Sequence, residues 1–262
     1  MMHAGQVEVA LDCLAAALGE QFPQLRGLAV RRISSAGTVV APVRVGDSFV
    51  ARLPLVPSAD AAARERLLAE AGHARYLAGR LAVELSRPLG IGTPFERYPG
   101  LWSVWSWVDG VSVDRSSGLD QNLLAADLAA LLRCFHELPT DGQSWSAVGR
   151  GARPLADSAW VRSSIERSAH LVDAAAVTSL WERALAAPGF RQPASRIHGD
   201  PMPGSLIVRH GRLAGLIDIA EPSFGDPASD LAPAWTIFDE PARTLFGQVL
   251  GLDEAAWERG RG

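Results

Sequence analysis

The stretch from Ile197 to Ile219 constrains this chain more than any other. It reads as a loop carrying one carboxylate, followed by a hairpin that brings back a second. Leu206, Ile207 and Val208 make a short apolar strand, His210-Gly211 is a turn, and Leu213 to Ile219 is a second, mostly apolar strand. A turn centred on His210-Gly211 sets Leu213 opposite Val208. The same register places Asp218 opposite Pro203, within a side chain's reach of Asp200 and Ser205. Two carboxylates at the mouth of a hairpin repel each other unless a cation or a shared proton lies between them. Hard oxygen ligands of this kind suit Mg²⁺ carrying phosphates, the arrangement that phosphoryl transfer needs.

His198-Gly199-Asp200, Gly204, Ile217-Asp218 and Gly225-Asp226-Pro227-Ala228-Ser229-Asp230-Leu231-Ala232 follow one another in a specific order and spacing. A lone His-Gly-Asp is weak evidence, but the ordered set resembles the aminoglycoside phosphotransferase family, from about Ser35 to about Gly262. These are small-molecule kinases with a protein-kinase-like fold. The resemblance implies an α+β, two-lobed chain. A small antiparallel-sheet N-lobe over 1–109 would carry the nucleotide-covering sheet and hinge. A larger, mainly helical C-lobe over 110–262 would carry the catalytic loop, the metal-binding hairpin and the acceptor pocket.

By the same resemblance Asp200 is the catalytic carboxylate that accepts or orients the acceptor hydroxyl's proton, and His198 braces its loop by hydrogen bonding. Asp218 would bind Mg²⁺ bridging the phosphates of ATP or GTP. Ser205 stands five residues after Asp200, where the family has a metal-binding asparagine. A hydroxyl can ligate Mg²⁺ but is shorter than an amide. Asp226 and Asp230 read as capping or loop-holding groups, and His136 as a satisfied packing histidine.

The first half of the chain supplies the expected nucleotide-binding groups. Val7 to Leu18 has helical spacing, closed by Gly19 and Pro23. Ala29 to Ile33, Val39 to Val45 and Phe49 to Leu53 read as strands joined by turns. Backbone N–H groups at the first turn, with Gly37 and Thr38, could meet phosphate oxygens. Relatives often carry Gly-Thr-Asp-Asn there, whereas this chain has Gly37-Thr38-Val39-Val40. Arg52 stands where kinase folds place a phosphate-binding lysine; it keeps the charge and adds a bidentate fork. This replacement belongs to the whole chain, which has no lysine among its 25 basic residues. On the helix expected over Ala61 to Leu81, Glu70 is the candidate partner of Arg52, with Glu65 as competitor. Leu101 to Val108 is an aromatic strand at the place of the family's hinge. Its backbone over Trp105, Trp107 and Val108 is expected to bind the base, with the indoles as packing.

Further along, Leu119 to Leu138 is an amphipathic helix and Thr140 to Pro154 a Gly/Ser/Pro-rich loop. Val161 to Leu185 reads as two helices near the acceptor pocket, and another helix is expected to begin at Pro227 and run to Phe238. Asp157, Glu166, Asp239 and Glu240 are acidic candidates for contact with a cationic acceptor.

A net charge of −4 speaks against a nucleic-acid partner. No apolar run reaches the roughly eighteen residues of a membrane span. Met1 to Gln6 lacks a basic cluster before an apolar core, so no signal peptide is expected. Cys13 and Cys134 lie in apolar helical patterns and read as buried free thiols, as in a cytoplasmic protein. The leading expectation is therefore a kinase acting on a hydroxyl of an antibiotic, aminoglycoside or macrolide, as a monomer or homodimer. A metabolic kinase of a sugar, choline or amino alcohol is the alternative on the same scaffold. A ligand-binding pseudokinase is the alternative of another class.

Overall fold

The computed structural model of the chain describes residues 3–34, 37–144, 159–191, 193–219 and 222–261. The chain divides into two compact units, 1–80 with 84–109, and 81–83 with 110–262.

In the first unit, helix α1 (Leu11–Gln21) starts later than its apolar spacing suggested. The N–H of Val7 is already bonded to Leu55 O, and Ala10 is extended at the N-cap. The helix then runs through Gly19 and ends before Pro23. Strands β1 (Val30–Arg32), β2 (Val40–Val45) and β3 (Phe49–Pro54) precede helix α2 (Ala61–Leu77) and a two-residue strand, β4 (Glu84–Leu85). Strands β5 (Pro88–Gly92) and β6 (Trp102–Ser106) complete an antiparallel five-stranded sheet of order β1-β2-β3-β6-β5. Side chains alternate across it, as the twofold repeat of a strand requires. Val43, Val45, Leu53, Trp102 and Val104 join Leu14 and Leu18 of α1 in one core, while Val50 and Trp105 pack with Ala71 and Ala74 of α2 in another. Gly92 faces Trp102 in the ladder, and a Cβ there would sit 2.1 Å from the indole, so only glycine fits. Asp60 caps α2 by accepting Ala63 N at 2.7 Å. The helix stops at Leu77, short of the expected Leu81, where Gly79 turns left-handed.

The second unit opens with strand β7 (Val111–Ser112), then helix α3 (Gln121–Glu137). Asp120 fixes the start of α3 by accepting the N–H groups of Asn122 and Leu123. Its buried stripe of Leu124, Leu128, Leu131, Leu132 and Phe135 is the amphipathic face read from the sequence. Most of the loop expected to Pro154 falls outside the described residues, as does Asp157. Helices α4 (Ala159–Arg167) and α5 (Ala174–Ala186) follow, then β8 (Ser195–Ile197), β9 (Leu206–Arg209), β10 (Arg212–Leu216) and β11 (Ser223–Gly225). A 3-10 turn, Pro227–Leu231, and the four-residue α6 (Pro233–Thr236) replace the single helix expected from Pro227. Helices α7 (Glu240–Leu250) and α8 (Glu254–Arg261) were not anticipated, although Asp239 and Asp253 accept N–H groups at their starts.

One further expectation is corrected. Both cysteines are free, but Cys134 is exposed and Cys13 only half-buried, because the apolar stripe of α3 passes beside Cys134 rather than through it. No helix among the described residues is long and apolar enough to cross a membrane.

Candidate active site

Strand β8 delivers the chain into the loop that carries Asp200. Buried Ile197 anchors the entry, pairing with Ser223 of β11. Gly199 follows with φ +78, a left-handed backbone that a side chain would strain. Asp200 N lies 3.3 Å from His198 Nδ1, so the imidazole braces the loop from within. The loop then closes on itself: Met202 N donates to Asp200 O at 2.8 Å, and Ser205 N to Met202 O at 2.9 Å.

The hairpin differs from the simple ladder in a way that moves the second carboxylate. Arg212 pairs with Arg209 and Leu213 with Val208, but Gly215 pairs with Ile207 and Leu216 with Leu206. A bulge at Ala214 thus shifts the register by one, and Ile217 N donates to Ser205 O at 2.9 Å. Asp218 therefore comes off the ladder beside Gly204 and Ser205 rather than opposite Pro203. It adopts φ +58 and is exposed, and the second strand stops at Leu216 instead of reaching Ile219. Aspartate tolerates this left-handed geometry better than most residues. Ser205 is buried.

Beneath the loop lies Asp230, fully buried. Its Oδ1 accepts Gly199 N at 2.6 Å and its Oδ2 accepts His198 N at 3.2 Å, while His136 Nε2 lies 2.9 Å from Oδ2. Asp226 accepts Ala228 N at 3.0 Å and forms a two-pronged, buried ion pair with Arg259 of α8 at 2.6 and 3.1 Å. Sequence reading assigned Asp226 and Asp230 to capping or loop-holding and His136 to packing, but found neither the His136–Asp230 bond nor Arg259. Asp239 accepts Ala242 N at the start of α7, and Glu166 and Glu240 are exposed. Helices α4 and α5 border an open cleft of about 580 Å³ whose lining includes Glu166, Thr178, Ser179 and Glu182.

In the first unit Arg52 and Glu70 form a hydrogen-bonded ion pair, with the guanidinium 5.4 Å from the Trp105 ring centre. Trp105 is buried and donates to Ser103 Oγ at 2.8 Å. Trp107 N is bonded to Ser48 O at 2.7 Å, so this amide is already occupied; the Arg44 guanidinium lies 3.6 Å over the Trp107 ring. Val108 is buried. Gly37 and Thr38 are exposed, and His3 Nε2 lies 2.6 Å from Thr38 O; Ser35 and Ala36 of that turn lie outside the described residues.

Among the described residues no group of three or more His, Cys, Asp or Glu side chains could hold a metal ion by itself. Asp218, Asp200 and the Ser205 hydroxyl are hard oxygen donors on one short segment. Such a sparse set fits Mg²⁺ only when phosphates and water supply its remaining ligands.

A model described as the phosphotransferase enzyme family matches residues 32–262. The chain belongs to that family. Solved structures agree in fold. One is the ADP-bound aminoglycoside phosphotransferase APH(2'')-Ib, with TM-score 0.59, 17% identity, and coverage of 92% of this chain and 82% of that one. Another is a GDP and kanamycin complex of APH(2")-IIia, with TM-score 0.69, 16% identity, and coverage of 94% and 86%. A third is the macrolide 2'-phosphotransferase MphH from Brachybacterium faecium, with TM-score 0.61, 21% identity, and coverage of 91% and 81%. A comparison with curated proteins finds no match. The fold of this family member is the two-lobed, kinase-like α+β arrangement, with an antiparallel sheet in the first lobe and a mainly helical second lobe.

Proposed function

We propose that this family member transfers the γ-phosphoryl group of ATP or GTP to a hydroxyl of an antibiotic of the aminoglycoside or macrolide class. The observation that carries the reading is the clamped loop: buried Asp230 holds the backbone at His198 and Gly199, while the bulged hairpin returns Asp218 to the side of Ser205. Phosphoryl transfer depends on positioning and charge neutralisation, and both require such a rigid loop.

Asp200 orients the acceptor hydroxyl and takes its proton as the oxygen attacks phosphorus. Asp218 and Ser205 would hold Mg²⁺, which when bound neutralises phosphate charge. Arg52, steered by Glu70 and Trp105, presents its guanidinium to phosphate oxygens. Gly37 and Thr38 cover the phosphates. Because Trp107 N is committed to Ser48 and Trp105 is paired with Val50 in the sheet, the hinge reads the base through Val108 N–H and the carbonyl of Trp107. Both antibiotic classes carry basic amines, and Glu166 and Glu182 on the α4–α5 cleft are carboxylates of the matching charge.

The test is a panel of aminoglycosides, macrolides, sugars, choline and amino alcohols incubated with ATP and with GTP in Mg²⁺ buffer. Phosphorylated acceptor is read by mass spectrometry. A product of one class with stoichiometric nucleoside diphosphate supports the reading. Turnover confined to sugars, choline or amino alcohols would replace it with the metabolic alternative. Nucleotide binding without turnover on any acceptor would leave a pseudokinase.

A further inference from the structure

Helix α8 touches the 3-10 turn Pro227–Leu231 through an unusually close approach. A Cβ on Gly260 would lie 2.6 Å from Ala228 O and 2.7 Å from Leu231 Cδ1, so glycine allows the two backbones to meet. The preceding residue, Arg259, is buried and uses three donors. Nε and Nη2 reach both oxygens of Asp226, and Nη1 donates to Pro188 O at 2.6 Å.

These contacts sit at one end of the β8–β11 ribbon, where Ser195 pairs with Gly225. Asp226 directly follows Gly225, and Pro188 lies in the segment leading to Ser195. At the ribbon's other end Ile197 passes directly into His198. The turn itself therefore carries two carboxylates with different anchors. Asp226 is held by Arg259, and Asp230 holds the N–H groups of His198 and Gly199.

We infer that Arg259 is a positioning residue: by fixing Asp226 and Pro188 it sets the turn from which Asp230 shapes the Asp200 loop. The guanidinium is suited to this because its planar fork grips a carboxylate while a further N–H reaches a carbonyl; a lysine ammonium is a point charge without that geometry. A chain of buried, mutually dependent bonds transmits displacement, since interiors are too densely packed to absorb it locally. The inference rests on the catalytic reading of the loop only where activity is measured.

The experiment compares amide hydrogen exchange in the whole chain for wild type, Arg259→Met, Arg259→Lys and Gly260→Ala. Gly260→Ala perturbs the docking of α8 without removing a charge. It keeps the test open if Arg259→Met does not fold. The expected result is exchange at His198 and Gly199 faster by about tenfold or more in Arg259→Met and Gly260→Ala, with Arg259→Lys between them and wild type. Segments of α3 and of the β9–β10 hairpin should keep wild-type exchange. Loosening confined to 226–232 and 254–261, or an equal rise throughout the second unit, would overturn the inference. With an acceptor from the panel, kcat should fall while KM for the nucleotide stays near wild type. If no acceptor is found, the function fails on its own and the exchange result still decides the role of Arg259.

Discussion

The carboxylate of Asp230 accepts the backbone N–H of Gly199 at 2.6 Å, across 31 positions of sequence. A residue in a 3-10 turn thereby fixes the peptide just before Asp200. Asp230→Ala leaves three donors without their acceptor: the buried N–H of His198 and the part-buried Gly199 N–H and His136 ring. Leaving such groups unsatisfied costs roughly 2–4 kcal/mol in total. Thermal unfolding should shift down by about 5–12 °C at this chain length. An unchanged melting temperature would show that water replaces the carboxylate.

In the proposed reaction the Asp200 carboxylate acts on the acceptor rather than on the nucleotide, so Asp200→Ala should abolish phosphoryl transfer while leaving nucleotide affinity within about twofold. Single-turnover assays and nucleotide titration separate the two. An equal loss of nucleotide affinity would mean that Asp200 is structural or a metal ligand.

Ser205 is the departure that most separates this chain from the family pattern. Its N–H and C=O are both held by backbone bonds, to Met202 O and from Ile217 N, so the position is firmly placed even though its side chain is short. Ser205→Asn should lower the Mg²⁺ concentration for half-maximal rate, or raise kcat, by about tenfold, the scale of one improved ligand. A Mg²⁺ titration of phosphoryl transfer gives the answer. Because Ser205 is buried, a slower variant at saturating Mg²⁺ would show that the loop has adapted to serine and that the larger amide crowds Asp200.

Asp127 ties α3 to the hairpin. It accepts Arg212 Nε at 2.8 Å, Arg212 Nη2 at 2.5 Å and Leu213 N at 3.2 Å. The Arg212 hydrogen bonds hold its carboxyl below the usual aspartate range. A depressed folded-state pKa means that the contribution is fully present above the ordinary value of about 4, and disappears as pH falls through the folded value. Asp127→Asn should therefore melt lower than wild type at pH 7, by about 2 °C given the exposed arginine, and the gap should close in acid. Melting curves from pH 7 to pH 2 test this. A gap that stays constant would assign the effect to packing.

Local pattern alone determined a good deal of this protein. The loop at Asp200, the hairpin turn at His210-Gly211, the α3 stripe and the strands around Arg52 all rest on neighbours within a few residues, where periodicity and turn chemistry act. The helix from Ala61 was legible in its pattern, but it was the family likeness that put Glu70, with Glu65 as competitor, forward for Arg52, and Arg52 and Glu70 meet. The family likeness, too, lay in a short ordered run of residues. Long-range packing decided the rest. The isolated Gly215 inside the strand pattern is a local sign of the bulge beside it, but the left-handed turn at Asp218 carries no distinctive local signal. Together they move the second carboxylate from Pro203 to the side of Ser205. The last two helices could have been suspected from Asp239, Pro241 and Gly251, and from the row Ala242, Phe246 and Leu250 at i, i+4 and i+8 that α7 buries. Arg259 reads as one arginine among 25. Its role arises only when tertiary packing buries it against Asp226, since a charge taken out of water must be paired and no local rule names the partner.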